Sequence, residues 1–302
     1  MIDLLQHTPV LLDSVIAVLA PKKGETALDV TLGLGGHARA FLEHVGPSGS
    51  LTGLDADAEN LTFAWERLRE WAAQTTLHHL NFRDLSSLNL PPVDVVFADL
   101  GLSSPHIDDP HRGFTFREDA PLDLRFDRTQ GQTVAEWLHR VTVKEVSRVL
   151  KEYGELKGAS KLAQSLKDHE PKTTFEVVDA VKEAAGWRTP SVLPQVFQAL
   201  RIVVNEEMEA LDFLLEVAPA LLKPGGRFGV LSYHSLEDRR VKQAFRTLTT
   251  PVKNEMTGAV DREAPFNLLT KKAIVPSSEE IKKNQRARSA KFRAIVRTYS
   301  LS

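Results

Sequence analysis

Two predicted strands, each with an aspartate near its end and separated by a glycine turn, constrain the fold of this chain most. The first, Thr26–Thr31, runs into the turn Gly33–His37, and the second is Ser50–Asp55. A glycine turn between a strand and a helix lets a ligand lie against bare backbone. An acid at the tip of the next strand is placed to bind ribose hydroxyls. The sequence therefore predicts an α/β sheet that binds an adenosine-containing cofactor.

The position of Asp29 discriminates between the candidate cofactors. Gly33, Gly35 and Ala38 satisfy the loose dinucleotide pattern G-x-G-x-x-G/A, so NAD is one candidate. Asp29, however, precedes the turn, where its charge would repel a pyrophosphate but would suit the amino group and sulfonium of S-adenosylmethionine (SAM). These residues favour SAM. NAD, and a purely structural turn capped by Asp29, remain the alternatives.

The absence of cysteine excludes several chemistries. The 302 residues contain none, so iron–sulfur clusters and radical SAM chemistry are excluded. A cysteine adduct on C5 of a pyrimidine is excluded as well, and any methyl transfer must be a direct displacement. The apolar stretch Val10–Ala20 is flanked by Asp3 and Asp13 rather than by basic residues, which is untypical of a signal peptide. We expect a cytoplasmic protein.

The order of predicted elements indicates a sheet interrupted by helices. A fourth strand, Val93–Asp99, places a third acid at a strand end, the edge where open α/β sheets bind ligands. Residues 105–205 then read as helices, two of them with capping boxes that begin at Thr142 and Thr173. The α/β pattern resumes with a helix from residue 206, a turn at 223–226 and a strand at 227–233, and Arg288–Tyr299 forms the final strand. We predict one domain from 1–104 and 206–302, and a helical insertion at 105–205.

The C-terminal tail is basic. From Ile281 onward it holds seven cations and no acid. Such a patch can follow the phosphates of a nucleic acid, or it can protect a solvated edge strand, and the tail alone does not decide between the two.

Motifs along nearly the whole chain recur together in one known family. They are HTPV from His7, DVTLGLGGH from Asp29, DLGLSS from Asp99, RGFTF from Arg112, DLRFD from Asp123, FQALRI from Phe197, LKPGGRFGVLSYHSLEDRRVK from Leu222 and RARSAK from Arg286. In this order they resemble the bacterial RsmH/MraW family. The resemblance implies a Rossmann-like SAM-dependent methyltransferase with a helical domain after the fourth strand. It also implies N4-methylation of a cytidine in the decoding region of 16S rRNA, and a homodimer.

The resemblance implies a SAM site formed by Gly35, Gly36, His37, Asp55, Phe82, Asp99 and His106. Asp29 and Gly33 join it from the turn, and Asp84 is a candidate partner for the adenine amine. His106 replaces a usual glutamine and cannot copy both faces of an amide. His37 is either a general base or the opening residue of a helix that contacts the methionine carboxylate. Phe82 either covers adenine or packs in the core.

The amine of cytosine needs hydrogen-bond acceptors, because its lone pair is delocalised into the ring. We expect Asp99, with the turn that contains Ser103 and Ser104, to hold it. Tyr233 and His234 are expected to shape the cytidine pocket, and Ser235 with Asp238 to cap the following helix. A decayed fold that only binds RNA is the non-enzymatic alternative.

The family resemblance favours RNA contacts where cations alternate with aromatic residues, and in the tail. For the alternating cluster, a packed hinge between the sheet and the insertion is the alternative. The candidates are Arg112, Phe114, Phe116, Arg125, Arg286, Arg288 and Lys291. The same loop contains His106, Asp108, Asp109 and His111, but their spacing fits no single helix face, so no metal site is predicted.

Overall fold

The computed structural model describes residues 9–254 and 257–298. The predictions that fall on Asp3, His7, Thr8 and Tyr299 lie outside the described residues. The chain forms two compact units, Met1–Gly101 with Glu209–Ser302, and Leu102–Met208.

The first unit contains a seven-stranded sheet in the order β3-β2-β1-β4-β5-β9-β8. Strands β1 to β5 run parallel, whereas β9 is antiparallel to both of its neighbours, β5 and β8. This is a Rossmann-like α/β sheet, so the predicted fold class is confirmed. The strands are β1 Thr26–Asp29, β2 Ser50–Asp55, β3 Thr75–His79, β4 Val93–Asp99, β5 Leu222–Ser232, β6 Val252–Lys253, β7 Val260–Arg262, β8 Phe266–Leu268 and β9 Lys291–Arg297.

The helices flank the sheet in the first unit and make up most of the second. They are α1 Leu12–Leu19, α2 Gly36–Val45, α3 Ala58–Arg67, α4 Ser104–Asp108, α5 Val134–Arg140, α6 Val143–Glu152, α7 Ala159–His169, α8 Thr174–Ala185, α9 Thr189–Asn205, α10 Glu207–Val217, α11 Ser235–Leu248 and α12 Ser278–Lys283. Within the described residues, none of these helices combines the length and the hydropathy needed to cross a membrane.

The sheet is buried on both faces. In β4, Val95 and Phe97 pack with α1 and α2 on one face, whereas Val96 and Ala98 pack on the other face with Leu214. Burial on both faces explains why this strand reads as a continuous apolar run rather than as an alternating one. The polar residue that ends such a strand therefore lies at the edge of the sheet.

The C-terminal part of the sheet differs from the prediction in two respects. The turn predicted at 223–226 lies inside β5. Val93 of β4 pairs with Leu222 and Val95 pairs with Arg227, so the residues of β5 between these two partners form a bulge. The predicted final strand begins at Lys291 rather than at Arg288, and it is not the edge strand that was one alternative for the tail, since β8 pairs with its outer side. The three residues of β8 include one buried side chain, Phe266, and this is too short a pattern to read from sequence.

The second unit has its own apolar core, in which Val146, Leu150 and Val181 are buried. Thr142 and Thr173 are both N-caps, as predicted. The complete capping box is confirmed at Thr173, whereas the carboxylate of Glu145, three residues after Thr142, pairs with Arg148. Thr173 Oγ1 accepts from the Glu176 amide at 3.4 Å, and the Glu176 carboxylate accepts from the Thr173 amide at 3.1 Å. The sequence pattern thus fixes where these helices begin.

Replacement of Thr173 by alanine is expected to lower the free energy of unfolding by about 1 kcal/mol, because the first turn of α8 loses a side-chain acceptor. Urea unfolding followed by circular dichroism measures this. Thr247→Ala is the matched control, since Thr247 lies inside α11 and donates to the Gln243 carbonyl instead of capping. An equal free energy of unfolding for Thr173→Ala and the wild type would contradict the stabilising role of this cap.

Candidate active site at the carboxyl edge of the sheet

Three aspartates meet at one edge of the sheet. Asp29, Asp55 and Asp99 are the last residues of β1, β2 and β4. Strand β1 lies between the other two and runs parallel to both, so the three carboxyl ends are adjacent. The structure thus brings together the acids that the sequence placed on separate strands.

Asp29 is the most deeply buried of the three. Its side chain accepts from the Thr31 amide at 3.1 Å, and the residue is 1% exposed. Burial, with the nearby negative charges of Asp99 and Asp55, raises the pKa of Asp29 to about 8. In the ligand-free protein this carboxyl is therefore mostly protonated at neutral pH. A cation bound beside it would favour the ionised form.

The glycine turn leaves its backbone accessible. Gly33 and Gly35 have φ values of 53° and 76°, in the left-handed region that favours glycine. Around a Cβ built on Gly33, the one atom within 4 Å is the Thr31 carbonyl oxygen, at 3.9 Å. A Cβ on Gly36, by contrast, would overlap Pro9 Cγ. A ligand can therefore approach at Gly33, while Gly36 lets the turn pack closely.

Asp55 is held in a fixed orientation. Its Oδ2 accepts from the Gly33 amide at 2.7 Å, and its Oδ1 accepts from the Asp57 amide at 2.8 Å and from Asn60 Nδ2 at 3.3 Å. The carboxylate thus connects the tip of β2 to the glycine turn.

Replacement of Asp55 by alanine is expected to weaken SAM binding about tenfold. The ribose hydroxyls would lose a charged acceptor, and the glycine turn would lose the bond from the Gly33 amide. Isothermal titration with SAM measures this, and Asp13→Ala, an exposed site on α1, is the control. Unchanged SAM affinity in Asp55→Ala would contradict the assignment of Asp55 as a SAM-binding residue.

Asp99 is hydrogen-bonded to its own turn, to Thr31 after β1 and to Tyr233 after β5. Its Oδ1 accepts from the Gly101 amide at 3.0 Å, and its backbone amide donates to Thr31 Oγ1 at 2.5 Å. The Tyr233 hydroxyl also bonds to Asp99, and burial, together with this carboxylate, raises the pKa of Tyr233 well above its usual value. Tyr233 therefore stays protonated and donates. Thr31, which orients the end of β4, was not among the predicted site residues.

His37 lies beside Asp99 in one defined tautomer. Its Nε2 lies 3.0 Å from the Val10 carbonyl oxygen, which only accepts, so Nε2 carries the proton. Its Nδ1 lies 3.6 Å from Asp99 Oδ2. Burial lowers the pKa of His37, against the opposing effects of Asp99 and Val10. The neutral ring therefore directs an acceptor, not a donor, toward Asp99. His37 also lies in the first turn of α2, so the general-base role and the contact with the methionine carboxylate both stay predictions.

The cap of α11 is shifted by one residue from the prediction. His234, rather than Ser235, is the N-cap, and Glu237 closes the box by accepting from the Tyr233 amide at 2.7 Å and the His234 amide at 3.2 Å. Asp238 instead accepts from Arg293 at 2.7 Å and from Lys291 at 3.0 Å. Although burial opposes it, these bonds lower the pKa of Asp238. The predicted cap pair was wrong, and the unpredicted Glu237 fixes the backbone of Tyr233 and His234.

Phe82 and Asp84 lie just after β3. Phe82 begins a short 3₁₀ helix and is half-buried against the apolar core, whereas Asp84 is exposed and lies 3.5 Å from Arg83. Leu80, two residues before Phe82, donates to the Asp55 carbonyl at 3.0 Å. Phe82 is thus two residues from a backbone bond to the tip of β2, where Asp55 lies. Its contact with a cofactor stays a prediction.

In the second unit, Ser103 is the N-cap of α4 and Ser104 is its first, buried residue. His106 Nδ1 accepts from the Ser103 amide at 3.3 Å. The His106 ring lies 5.1 Å from the rings of both Phe114 and Phe126. His106 is thus fixed within an aromatic cluster.

The predicted RNA-binding arginines of this unit have internal partners. Arg112 is 1% exposed, and its guanidinium donates to the carbonyls of Arg125 and Phe126 at 3.2 and 3.0 Å. Arg125 in turn makes two bonds to Asp123, at 2.7 and 3.0 Å. Phe116 packs on Phe197. These contacts indicate that both arginines hold the loop together, a role that the alternating pattern of cations and aromatics did not reveal.

The cations of the basic tail differ in their exposure and in their partners. Arg286 and Arg288 are exposed on a 3₁₀ turn after α12. Lys291, by contrast, is bonded to Asp238. The two arginines, like Lys282 and Lys283 in the last turn of α12, are exposed to a phosphate in solution.

Comparison with known proteins gives consistent results over the whole chain. The model of the MraW methylase family matches residues 4–298. A protein of Syntrophotalea carbinolica named "Ribosomal RNA small subunit methyltransferase H" is 41% identical, covering 98% of this chain and 99% of its own. Proteins of the same name from a Cyanothece species and from Thermomicrobium roseum are each 41% identical, covering 98% and 96% of this chain and 96% and 93% of their own.

Proposed function

The chain belongs to the MraW methylase family, and from this membership we propose that it transfers a methyl group from SAM to N4 of a cytidine in the decoding region of 16S rRNA in the small ribosomal subunit. The observation that carries the proposal is the group of three aspartates around an open glycine turn at one sheet edge. The names of the relatives support the substrate.

The residues at this edge fit SAM better than a dinucleotide. Asp29 is a buried acid that lies near two other acids, and this electrostatic environment favours a cation and disfavours a pyrophosphate. Gly33 provides the open backbone, and Asp55 the ribose acceptor. When bound, SAM supplies a methyl group already activated by its sulfonium. Membership of a methylase family argues against the NAD-dependent alternative.

Asp99 is the proposed acceptor for the cytosine amine. Gly101 and Tyr233 occupy part of its hydrogen-bonding capacity and fix its direction. A carboxylate has about four lone-pair sites, so capacity remains for the amine. A bond from the amine turns its lone pair toward the methyl carbon, which must lie roughly 3–3.5 Å away for in-line attack.

His37 is the proposed proton acceptor. The amine must release a proton as the new N–C bond forms, and the bare Nδ1 of His37 lies 3.6 Å from Asp99 Oδ2. Because burial keeps the ring neutral, Nδ1 can accept that proton either directly or through Asp99. No metal or covalent intermediate is needed.

The remaining assignments concern the RNA. We assign Arg286 and Arg288 to phosphates, because they are exposed and lie on one short turn. Ser103, Ser104, Tyr233 and His234 stay proposed contacts of the cytidine, and the helical unit is the proposed substrate-recognition domain. Cytoplasmic action stays a proposal, as the default for the composition of this chain, and a homodimer is what the family resemblance implies. Analytical ultracentrifugation tests the dimer.

Incubation with methyl-labelled SAM and three RNAs tests the function. The substrates are unmodified small subunits, naked small-subunit rRNA and an unrelated RNA. We expect label in the small subunit or its rRNA and none in the unrelated RNA. Measurable SAM binding without label in any RNA would contradict the substrate and leave the cofactor assignment standing.

A further inference from the structure

Trp187 is the most exposed large apolar side chain in the part of the chain that the structure describes. It is 90% exposed, compared with 59% for Val275 and 45% for Trp65. A tryptophan with so little buried surface contributes almost no hydrophobic stabilisation to the fold, so packing does not explain a tryptophan at this position.

The backbone around Trp187 is well held, although its side chain is not. The residue sits in the short turn Gly186–Arg188 between α8 and α9, both of which are anchored by buried residues. Thr189 Oγ1 donates to the Gly186 carbonyl at 2.6 Å, and Ser191 Oγ donates to the Arg188 carbonyl at 2.8 Å. The ring is therefore presented outward from a fixed turn.

The charge beside the ring is positive. Arg188 is exposed and forms no ion pair with any described residue. The first turn of α9 holds no acidic side chain. On the last turns of α8, Asp179 is 3.1 Å from Lys182, and Glu183 is 3.3 Å from His169. The guanidinium of Arg188 thus remains available to an anion.

This surface fits a nucleic acid better than a protein. A stable protein interface buries roughly 800 Å² on each side, around a core that is more apolar than the rest of the surface. The exposed residues around Trp187 are instead glycine, arginine, proline and serine, at positions 186, 188, 190 and 191. A single ring is enough to stack on one unpaired base, and an adjacent guanidinium can bind its phosphate.

We propose that Trp187 and Arg188 form an RNA-binding tip on the helical unit, in which Trp187 stacks on an unpaired base and Arg188 binds a neighbouring phosphate. The inference rests on the proposed function, because it requires an RNA substrate. It assigns the helical unit a contact that is separate from the aspartates of the sheet edge.

Steady-state kinetics with small subunits test the tip. Trp187→Ala is expected to raise KM for the RNA substrate about tenfold, with kcat and SAM affinity unchanged, because stacking is lost while the sheet edge is intact. Trp187→Phe retains a ring and should recover most of the loss. Arg188→Gln should raise KM severalfold and reduce the salt slope of binding by about one.

Phe175→Ala is the matched control, since Phe175 is 43% exposed in the same unit and should leave KM unchanged. Replacement of Trp187 by the photocrosslinker p-benzoylphenylalanine should give a crosslink to rRNA. Wild-type KM in Trp187→Ala, or a crosslink to protein alone, overturns the inference. If the wild type methylates small subunits and Trp187→Ala equals it, the tip fails and the function stands. If the wild type methylates no RNA, the function itself fails.

Discussion

Replacement of Asp99 by alanine is expected to lower kcat for methyl transfer by roughly 10²–10³-fold, the usual effect of removing one preorganised hydrogen-bonding group from a transition state. The amine would lose the acceptor that directs its lone pair, and Tyr233 and Gly101 would lose their partner. Single-turnover kinetics with saturating SAM and small subunits measures the chemical step.

Asp99→Asn retains the shape of the side chain but removes its charge, so its kcat should lie between those of the alanine variant and the wild type. Asp94→Ala is the control on the same strand. Asp94 accepts from the Thr26 amide at 2.9 Å and from Lys223 at 2.7 Å, so its loss should reduce stability and spare kcat. Wild-type turnover and SAM affinity in both Asp99 variants would refute the assigned role.

SAM is expected to bind more tightly as the pH rises toward 8, by up to about tenfold per pH unit. The reason is the pKa of about 8 for Asp29 in the ligand-free protein. The bound cation favours the ionised carboxylate, so binding below pH 8 must release a proton. Titrations between pH 6 and 8.5, in buffers of different ionisation enthalpy, measure both the affinity and the released proton.

Asp29→Asn should abolish this pH dependence, while Asp13→Asn on exposed α1 should leave it unchanged. The contribution of Asp29 to the stability of the ligand-free protein should vary in the opposite direction. Because its folded-state pKa is raised, Asp29 binds more protons in the folded protein than in the unfolded chain between about pH 4 and pH 8. The free energy of unfolding of the wild type minus that of Asp29→Asn should therefore fall as the pH rises through that range. A pH-independent SAM affinity in the wild type would mean that the ionisation of Asp29 is not coupled to SAM binding.

The strands that carry the site were predictable because two simple patterns coincide in them. Strands β1, β2 and β4 are buried and end in an aspartate, so both the apolar run and its end are visible in sequence. Parallel pairing then brings the ends together. β8 was missed because three residues with one buried side chain carry no periodicity.

The contacts that were not predicted join residues far apart in the chain or involve side chains in unusual roles. No local pattern connects His37 to the Val10 carbonyl or Tyr233 to Asp99. The N-cap of α11 was predicted one residue too late, at Ser235, because histidine is not among the preferred N-cap residues. For Arg112 the pattern left RNA contact and a packed hinge open, and the structure buries its guanidinium on main-chain carbonyls. In each case tertiary packing sets the partner.

The position of the methyl group in the product tests the central claim most directly. Small subunits lacking the modification are incubated with the protein and methyl-labelled SAM, and the rRNA is digested to nucleosides for chromatography and mass spectrometry. We predict that the label appears as N4-methylcytidine in 16S rRNA from the wild type, and that Asp99→Ala largely removes it. Label on C5 of cytosine, on a ribose 2′-hydroxyl or on protein would contradict the proposed role of this sheet edge.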